Sequence, residues 1–161
     1  MRWMVVSCLI LVAACAGGGG EVSRADSTPL YPGETPELRR LITHYADLYE
    51  VPAPLIHRLI DRESDYRSDA RAGPYYGLLQ ILPQTARTMG HDGPASELLD
   101  PDVNLRYGVR YLRGAYLLSG GDGDGAIRRY ASGYYYEARD RCMLVETGLS
   151  DREIGRGCRS R

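Results

Sequence analysis

The chain has 161 residues, a formal net charge of −1 and a hydrophobic content of 43%. This length suits one domain and little more, and the hydrophobic content is ordinary for a soluble core. The balanced charge argues against nucleic acid as a partner, because nucleic acids are held mainly through basic surfaces. Phe is absent, and 13 Tyr residues supply most of the aromatic side chains. Tyr joins an apolar ring to a polar hydroxyl, which suits a carbohydrate cleft and equally an ordinary core.

Residues 1–15 are predicted to be a signal peptide with a lipobox. Arg2 supplies positive charge, and residues 5–14 form a mostly apolar run that is too short to cross a bilayer. The sequence that ends at Cys15 resembles a bacterial lipobox, in which this cysteine is lipidated and begins the mature protein. The alternative is cleavage after Ala16 at an A-x-A site, which would release a soluble protein.

Both alternatives predict an exported protein, and the lipobox predicts a periplasmic protein anchored to the outer membrane. Residues 16–34 are predicted to be a flexible tether, and residues 35–161 are predicted to hold the folded domain and its tail. Export permits disulfides, and Cys142 and Cys158 are the pair left in the domain. Their bridge would contribute about 3 kcal/mol. A metal site is the alternative, which the lack of nearby His disfavours.

Two helices are predicted at the start of the domain. The first covers Pro36–Tyr49, since Thr35 can cap it and Pro suits the first helical position. The second begins at Pro54 and ends near Glu63. Four residues form its apolar face: Leu55, Ile56, Leu59 and Ile60. His57 lies off this face and is expected at the surface.

Glu63 lies where the apolar face of the second helix would continue, four residues after Leu59 and three after Ile60. Partial burial and the negative end of the helix dipole would both raise the pKa of this carboxyl. A raised pKa is what a general acid at neutral pH requires. The alternative from periodicity alone is that Glu63 leaves the core and reaches water.

Residues 64–77 are polar, contain Gly73-Pro74 and predict a loop. Gln80 follows within an apolar run, where its amide must find hydrogen-bond partners. It either ties down the loop backbone or contacts a substrate. A short helix is predicted from Pro83 to Gly90, and residues 93–99 are predicted to form a loop or a single turn.

A long helix is predicted from Pro101 to Gly120, with Asp100 as its cap. Residues 122–125 look like a calcium loop, but Ala and Ile follow where such a loop needs an oxygen ligand and Gly. They are therefore predicted to be a turn and a helix cap. The sequence predicts no metal site and no cofactor.

A further short helix is predicted over Ala126–Ser132. Tyr134–Tyr136 then form an aromatic cluster, which suits core packing or a sugar-binding platform, and the tail from Glu137 has weak periodicity. No strand pattern persists anywhere. The sequence predicts a mainly α fold of five or six short helices around one core.

Four short motifs follow one another in a recognisable order. They are Glu63-Ser64; Gly77-Leu78-Leu79-Gln80-Ile81 with Pro83, Thr85 and Ala86; Asn104 with Gly108, Tyr111 and Leu112; and Tyr130-Ala131-Ser132-Gly133. With these motifs, residues 36–136 resemble the soluble-type lytic transglycosylases (the SLT domain), relatives of goose-type lysozyme. The resemblance implies a lysozyme-like bundle of short helices around a substrate cleft.

The resemblance implies cleavage of the β-1,4 bond between N-acetylmuramic acid and N-acetylglucosamine in peptidoglycan. Glu63 would protonate the glycosidic oxygen and then take a proton from the muramoyl C6 hydroxyl, which closes a 1,6-anhydro ring. The sequence near Glu63 fits this single-carboxylate scheme, because Asp61 and Asp65 point to other faces if the helix extends that far. Most glycosidases need a second carboxylate. More distant carboxylates are the alternative: Asp69, Glu97 and Asp100.

The resemblance also implies a set of substrate-binding residues. Ser64 and Gln80 would support or bind the sugar, and Tyr130 would form a hydrogen bond near Glu63. Two further tyrosines would line the cleft: Tyr76 and Tyr135.

The chain departs from the family pattern at two places. Ala131 stands where the family commonly has Asn, so that Ser132 would have to supply the missing polar contact. The loop from Glu63 to Gly77 is one residue shorter than usual. Both bear on substrate preference. Two competing functions stay open: a lysozyme-type muramidase on the same fold, which uses water, and a non-catalytic peptidoglycan-binding lipoprotein, whose degenerate site Ala131 would signal.

Overall fold

The structure is a computed structural model that describes residues 28–158. The predicted signal peptide, the lipidation site Cys15 and most of the predicted tether lie outside these residues. The described chain has six α-helices, a two-stranded hairpin and a 3-10 helix. They are α1 (Pro36–Tyr49), α2 (Ala53–Ser64), β1 (Arg71–Ala72), β2 (Tyr75–Tyr76), α3 (Pro83–Thr88), the 3-10 helix Ala95–Leu99, α4 (Pro101–Leu118), α5 (Gly123–Ser132) and α6 (Tyr135–Asp140). The prediction of a mainly α, lysozyme-like fold is confirmed.

Three helices begin where side-chain oxygens accept the first backbone N–H groups. Thr35 caps α1 by accepting from the amide of Leu38 at 3.1 Å, and α1 has the predicted bounds. Asp100 caps α4 in the same way. Asp122 accepts from the amide of Gly125 at 2.8 Å, so that α5 begins three residues before its predicted start. Each such cap typically stabilises a helix by about 1 kcal/mol.

Helix α4 is the central element of the core. It packs against α1 and α5 along most of its length, and also against α3 and the 3-10 helix. The predicted apolar face of α2 is buried, with Ile56, Leu59 and Ile60 all fully inaccessible to solvent. Each buried Leu or Ile contributes about 1.5–3 kcal/mol by leaving water. This face anchors α2 and, with it, the Glu63 side chain.

The two-stranded hairpin and helix α6 were not predicted. Strands β1 and β2 form an antiparallel hairpin around Gly73-Pro74, and Tyr76 forms an additional bridge with Ile81. Two residues per strand are too few to show the alternation by which a strand is recognised in a sequence. Helix α6 covers residues whose periodicity is weak, and of its side chains only Ala138 is buried.

The segment before α1 packs against the domain. The Glu34 side chain is completely buried and pairs with the Arg39 guanidinium at 2.6 Å, and the Tyr31 ring stacks on the His57 ring at 4.6 Å. The last residues of the predicted tether therefore contact both α1 and α2. The expectation that His57 lies at the surface is wrong, because this segment covers the side of α2 that carries it and leaves it only 6% exposed.

The chain after α6 is held by covalent and polar contacts. A disulfide joins Cys142 and Cys158, whose Cα atoms are 5.4 Å apart. Leu144 is fully buried, and the Glu153 carboxylate accepts hydrogen bonds from the Leu144 and Val145 amides. These contacts order a segment that lacks a periodic apolar pattern. Between residues 28 and 158, no helix is both long and apolar enough to cross a membrane.

Candidate active site

Glu63 lies in the last turn of α2, one turn after the fully buried Leu59 and Ile60. Its side chain is 22% exposed, and its Oε1 atom is 3.5 Å from Nε of Arg62. Burial raises the pKa of the Glu63 carboxyl, and the Arg62 charge opposes this rise in part. The carboxyl therefore holds its proton to a higher pH than an exposed glutamate does, which suits a proton donor.

The raised pKa predicts that Glu63→Gln stabilises the protein at neutral pH. Below the unfolded-state pKa, the carboxyl is protonated in both states and adds no pH-dependent term. As the pH rises through the folded-state pKa, ionisation costs the folded state more than the unfolded state. The neutral variant avoids this cost, so its melting temperature should exceed that of the wild type at about pH 7 and equal it near pH 3.

Thermal unfolding followed by circular dichroism at both pH values measures this difference. Glu146→Gln, at an exposed glutamate, is the control and should melt with the wild type at both pH values. A Glu63→Gln variant that melts below the wild type at neutral pH would contradict the expectation.

The chain leaves Glu63 through a tight turn. Ser64 is buried, and its hydroxyl donates to the carbonyl of Ile60 at 3.3 Å. Asp65 and Tyr66 then both adopt left-handed backbone conformations, with φ of 54° and 60°. This conformation costs about 1–2 kcal/mol for a residue that has a side chain. Tertiary contacts must hold the turn, since neither residue is a glycine.

A cavity of about 250 Å³ brings residues of the second and fourth sequence motifs together. We refer to it as the Gln80 cavity. It is lined by Tyr75, Gln80, Ile81, Leu82, Thr85, Tyr111, Tyr130, Ala131, Ser132 and Gly133. Its walls combine aromatic rings with a few polar groups, as is usual for a site that binds a small organic ligand.

Gln80 ties down the loop backbone, which is one of the two roles that the sequence leaves open. It is buried with φ of 44°, and its Nε2 donates to the carbonyls of Ala70 at 3.0 Å and Gly77 at 2.9 Å. The amide nitrogen therefore ties down the loop. Its Oε1 is buried and has no donor among the described residues, so it is a free acceptor on a residue that lines the cavity.

Tyr130 is a buried residue in the wall of the Gln80 cavity. Its hydroxyl donates to the carbonyl of Leu79 at 2.8 Å, which fixes its orientation. Its pKa is raised well above the usual value by burial and further by the negative charge of Glu63. The edge of the Tyr111 ring packs on Tyr130 at 5.2 Å. The charge of Glu63 thus acts on a residue of the cavity wall, although Glu63 itself does not line the cavity.

The hairpin presents Tyr75 to the cavity instead of Tyr76. Side chains of adjacent strand residues point to opposite faces. The Tyr76 ring lies 4.3 Å from the Arg71 guanidinium, which also donates to its hydroxyl at 2.7 Å. Tyr135, the first residue of α6, is 41% exposed and is not one of the cavity residues. Only the strand alternation of the hairpin, too short to detect in the sequence, could have identified Tyr75.

Most other carboxylates considered as partners of Glu63 have structural contacts or lie in solvent. Glu97 is 3.2 Å from Nε2 of His91, and Asp100 caps α4. Asp61 and Asp69 are exposed. Within residues 28–158, only burial and the Arg62 charge shift the pKa of Glu63.

Asn104 joins the second and third sequence motifs. Its Oδ1 accepts from the amide of Leu79 at 2.9 Å, and its Nδ2 donates to the carbonyls of Tyr76 at 2.8 Å and Leu98 at 2.7 Å. Gly77 packs on it so closely that a Cβ atom there would lie 2.3 Å from Nδ2. Sequence reasoning identified Asn104 only as part of a motif, because its partners are distant in the chain.

The comparison with protein families agrees with this geometry. The family model of the transglycosylase SLT domain matches residues 40–140, a segment that contains Glu63, the Gln80 cavity and Asn104. No solved structure matches the chain significantly. The activity of this family is that of lytic transglycosylases on peptidoglycan. Since the match covers well over half of the chain, the chain belongs to the transglycosylase SLT family.

Proposed function

We propose that this protein is a peptidoglycan lytic transglycosylase that cleaves the β-1,4 bond between N-acetylmuramic acid and N-acetylglucosamine and leaves a 1,6-anhydromuramoyl end. The observation that carries the proposal is Glu63, a half-buried carboxyl with a raised pKa in a domain of the transglycosylase SLT family. A hydrolase of the usual kind needs a second carboxylate, either as a nucleophile or to activate water. In the proposed reaction the C6 hydroxyl of the substrate itself attacks C1, so that neither a nucleophilic carboxylate nor an activated water is needed.

In the proposed reaction Glu63 gives up one proton and then takes up another. The neutral acid gives its proton to the glycosidic oxygen as the bond from that oxygen to C1 of the muramoyl residue breaks. The carboxylate then takes the proton of the C6 hydroxyl while the C6 oxygen bonds to C1. Glu63 is neutral again at the end, and no water is consumed. A single group that serves as acid and then as base works best with a pKa near the working pH.

The Gln80 cavity is proposed to hold a sugar next to the scissile bond. The free Oε1 of Gln80 can accept from an acetamido N–H or a hydroxyl group, which removes the cost of leaving that oxygen unpaired. The Tyr75 ring offers an apolar face to the sugar. Ser132, next to Ala131 in the cavity wall, is proposed to provide the polar contact that the family obtains from Asn. Ser64 and Tyr135 remain predicted substrate contacts.

The products distinguish this reaction from hydrolysis. We expect purified sacculi digested in heavy-oxygen water to release muropeptides with unlabelled 1,6-anhydromuramoyl ends, each one water lighter than a reducing end. Mass spectrometry of the released fragments reads out both features, and an authentic muramidase on the same sacculi is the control. Reducing muramic acid ends that carry the heavy oxygen would assign the protein as a muramidase.

Export and lipidation at Cys15 are part of the proposal. Residues 16–27 would separate the lipid from the described domain and allow a reach of at most about 40 Å when extended. An anchor of this reach keeps a periplasmic domain close to the outer membrane and to the peptidoglycan beside it.

A further inference from the structure

We infer that His57, through its hydrogen bond to Tyr66, is a positioning residue for Glu63. The inference rests on the proposed role of Glu63 as acid and base. It concerns a buried polar network that the family motifs do not include. We call it the His57 network, and it consists of Tyr31, Glu34, Arg39, His57 and Tyr66.

The turn after Glu63 is the part of the structure on which this network acts. Asp65 and Tyr66 both have positive φ values, and side chains disfavour this conformation. The turn therefore does not hold itself in place. Tyr66 is only 5% exposed and lies three residues after Glu63, so its anchorage fixes the direction in which the chain leaves the catalytic helix.

The anchor of Tyr66 is on the same helix as Glu63. The Tyr66 hydroxyl is 2.8 Å from Nδ1 of His57 in a buried hydrogen bond. His57 lies in α2 and Tyr66 lies beyond its end. The bond therefore folds the chain back onto α2 and encloses the turn that contains Glu63.

The segment before α1 supports this bond from outside. The Tyr31 ring stacks on both His57, at 4.6 Å, and Tyr66, at 5.7 Å. Oε1 of the buried Glu34 is 3.9 Å from Nδ1 of His57, and this carboxylate is held in place by Arg39. A network whose members hold one another through several contacts is rigid.

Gly33 lets this segment touch the turn directly. It has φ of +80°, and a Cβ atom there would lie 3.1 Å from Cβ of Tyr66 and 3.4 Å from the carbonyl oxygen of Asp65. The backbone of the segment therefore lies against the strained turn. This backbone contact and the hydrogen bond between Tyr66 and His57 together prevent Asp65 and Tyr66 from relaxing to ordinary φ values.

The expected consequence of losing the bond is a shift of Glu63 without damage to the sugar site. Gln80 and Tyr130 are held by the loop and by α5, through contacts that do not involve the His57 network. If the chain after Glu63 relaxed, the end of α2 that carries Glu63 would move relative to Gln80 and Tyr130. Misplacement of a catalytic group by a fraction of an ångström to 1 Å lowers the rate of the chemical step far more than it weakens binding.

Tyr66→Phe tests the inference because it removes the hydroxyl and keeps the ring. On soluble uncross-linked glycan strands we expect kcat to fall about 10-fold, with KM changed less than about 2-fold. Tyr45→Phe is the matched control, since it removes the hydroxyl of another buried tyrosine, on α1. That hydroxyl donates to Asp102 at 2.7 Å and accepts from Arg106 at 3.2 Å. Both variants should melt below the wild type, and only Tyr66→Phe should lose kcat.

A comparison of the single and double variants tests whether the loss of kcat comes from the hydrogen bond between His57 and Tyr66. His57→Leu should lower kcat to the same extent as Tyr66→Phe, and the two changes together should be no worse than either alone. If Tyr66→Phe does not fold, Gly33→Ala presses on the same turn without removing a hydrogen bond and should lower kcat in the same way.

The outcomes separate this inference from the proposed function. Unchanged kcat in Tyr66→Phe, additive effects in the double variant, or a raised KM with unchanged kcat would each overturn the positioning role. None of these results would affect the proposed function, provided that Glu63→Gln is inactive. Activity of Glu63→Gln on the same strands would overturn the proposed function itself.

Discussion

Replacing Glu63 with Gln is expected to lower the rate of sacculus digestion by about 10³-fold. The amide has nearly the same shape as the carboxyl group, but it can neither give a proton to the glycosidic oxygen nor take one from the C6 hydroxyl. Because the same group serves both halves of the proposed reaction, its loss blocks both the departure of the leaving group and the closure of the anhydro ring. The release of soluble muropeptides, followed by chromatography, measures the rate.

Two controls make this result specific. Asp61→Asn changes an exposed carboxylate on the same helix and should digest sacculi at the wild-type rate. Sedimentation with sacculi should show that Glu63→Gln still binds. Wild-type activity in Glu63→Gln would rule out its catalytic role, whereas binding by an inactive wild type would favour the non-catalytic peptidoglycan-binding lipoprotein.

Replacing Asn104 with Leu is expected to lower the free energy of unfolding by about 2–6 kcal/mol. The side chain is completely buried, and its loss would leave two backbone groups without their partner, the amide of Leu79 and the carbonyl of Leu98. The carbonyl of Tyr76 would keep its hydrogen bond from the amide of Ile81 at 3.1 Å. A buried group that loses its partner costs about 1–3 kcal/mol. The loop that carries Gln80 would be freed as well, so activity should fall together with stability.

Urea unfolding monitored by tyrosine fluorescence measures the change in free energy. Thr43→Val removes a single hydrogen bond, from the Thr43 hydroxyl to the carbonyl of Arg39, at an exposed position on α1. It should change the stability by less than about 0.5 kcal/mol. A loss below about 1 kcal/mol in Asn104→Leu would show that the loop is held by other contacts.

Features of the fold that depend on neighbours in the sequence could be predicted well. The start of α1 follows from Thr35 and Pro36, because a cap and a first-turn proline act locally. The buried face of α2 follows from its apolar spacing, and Glu63 is expected at its end for the same reason. The family motifs then predicted that these local elements belong to one lysozyme-like bundle around a substrate cleft.

Features that depend on contacts between distant segments could not be predicted. His57 lies off the apolar face of α2, and the segment that covers it precedes α1 in the chain. Tyr75 and Tyr76 are equivalent in the sequence until a hairpin assigns them to opposite faces. Helix α6 buries only Ala138, so it leaves little periodic signal.

The packing of residues 31–34 bears on where this domain should be taken to begin. The family match starts at residue 40, after both Glu34 and Arg39. A recombinant fragment cut at that boundary would uncover the rings of His57 and Tyr66 and remove the carboxylate beside them. Its low activity or poor solubility would then be a property of the cut and not of the enzyme, so fragments for biochemical work should begin no later than Thr28.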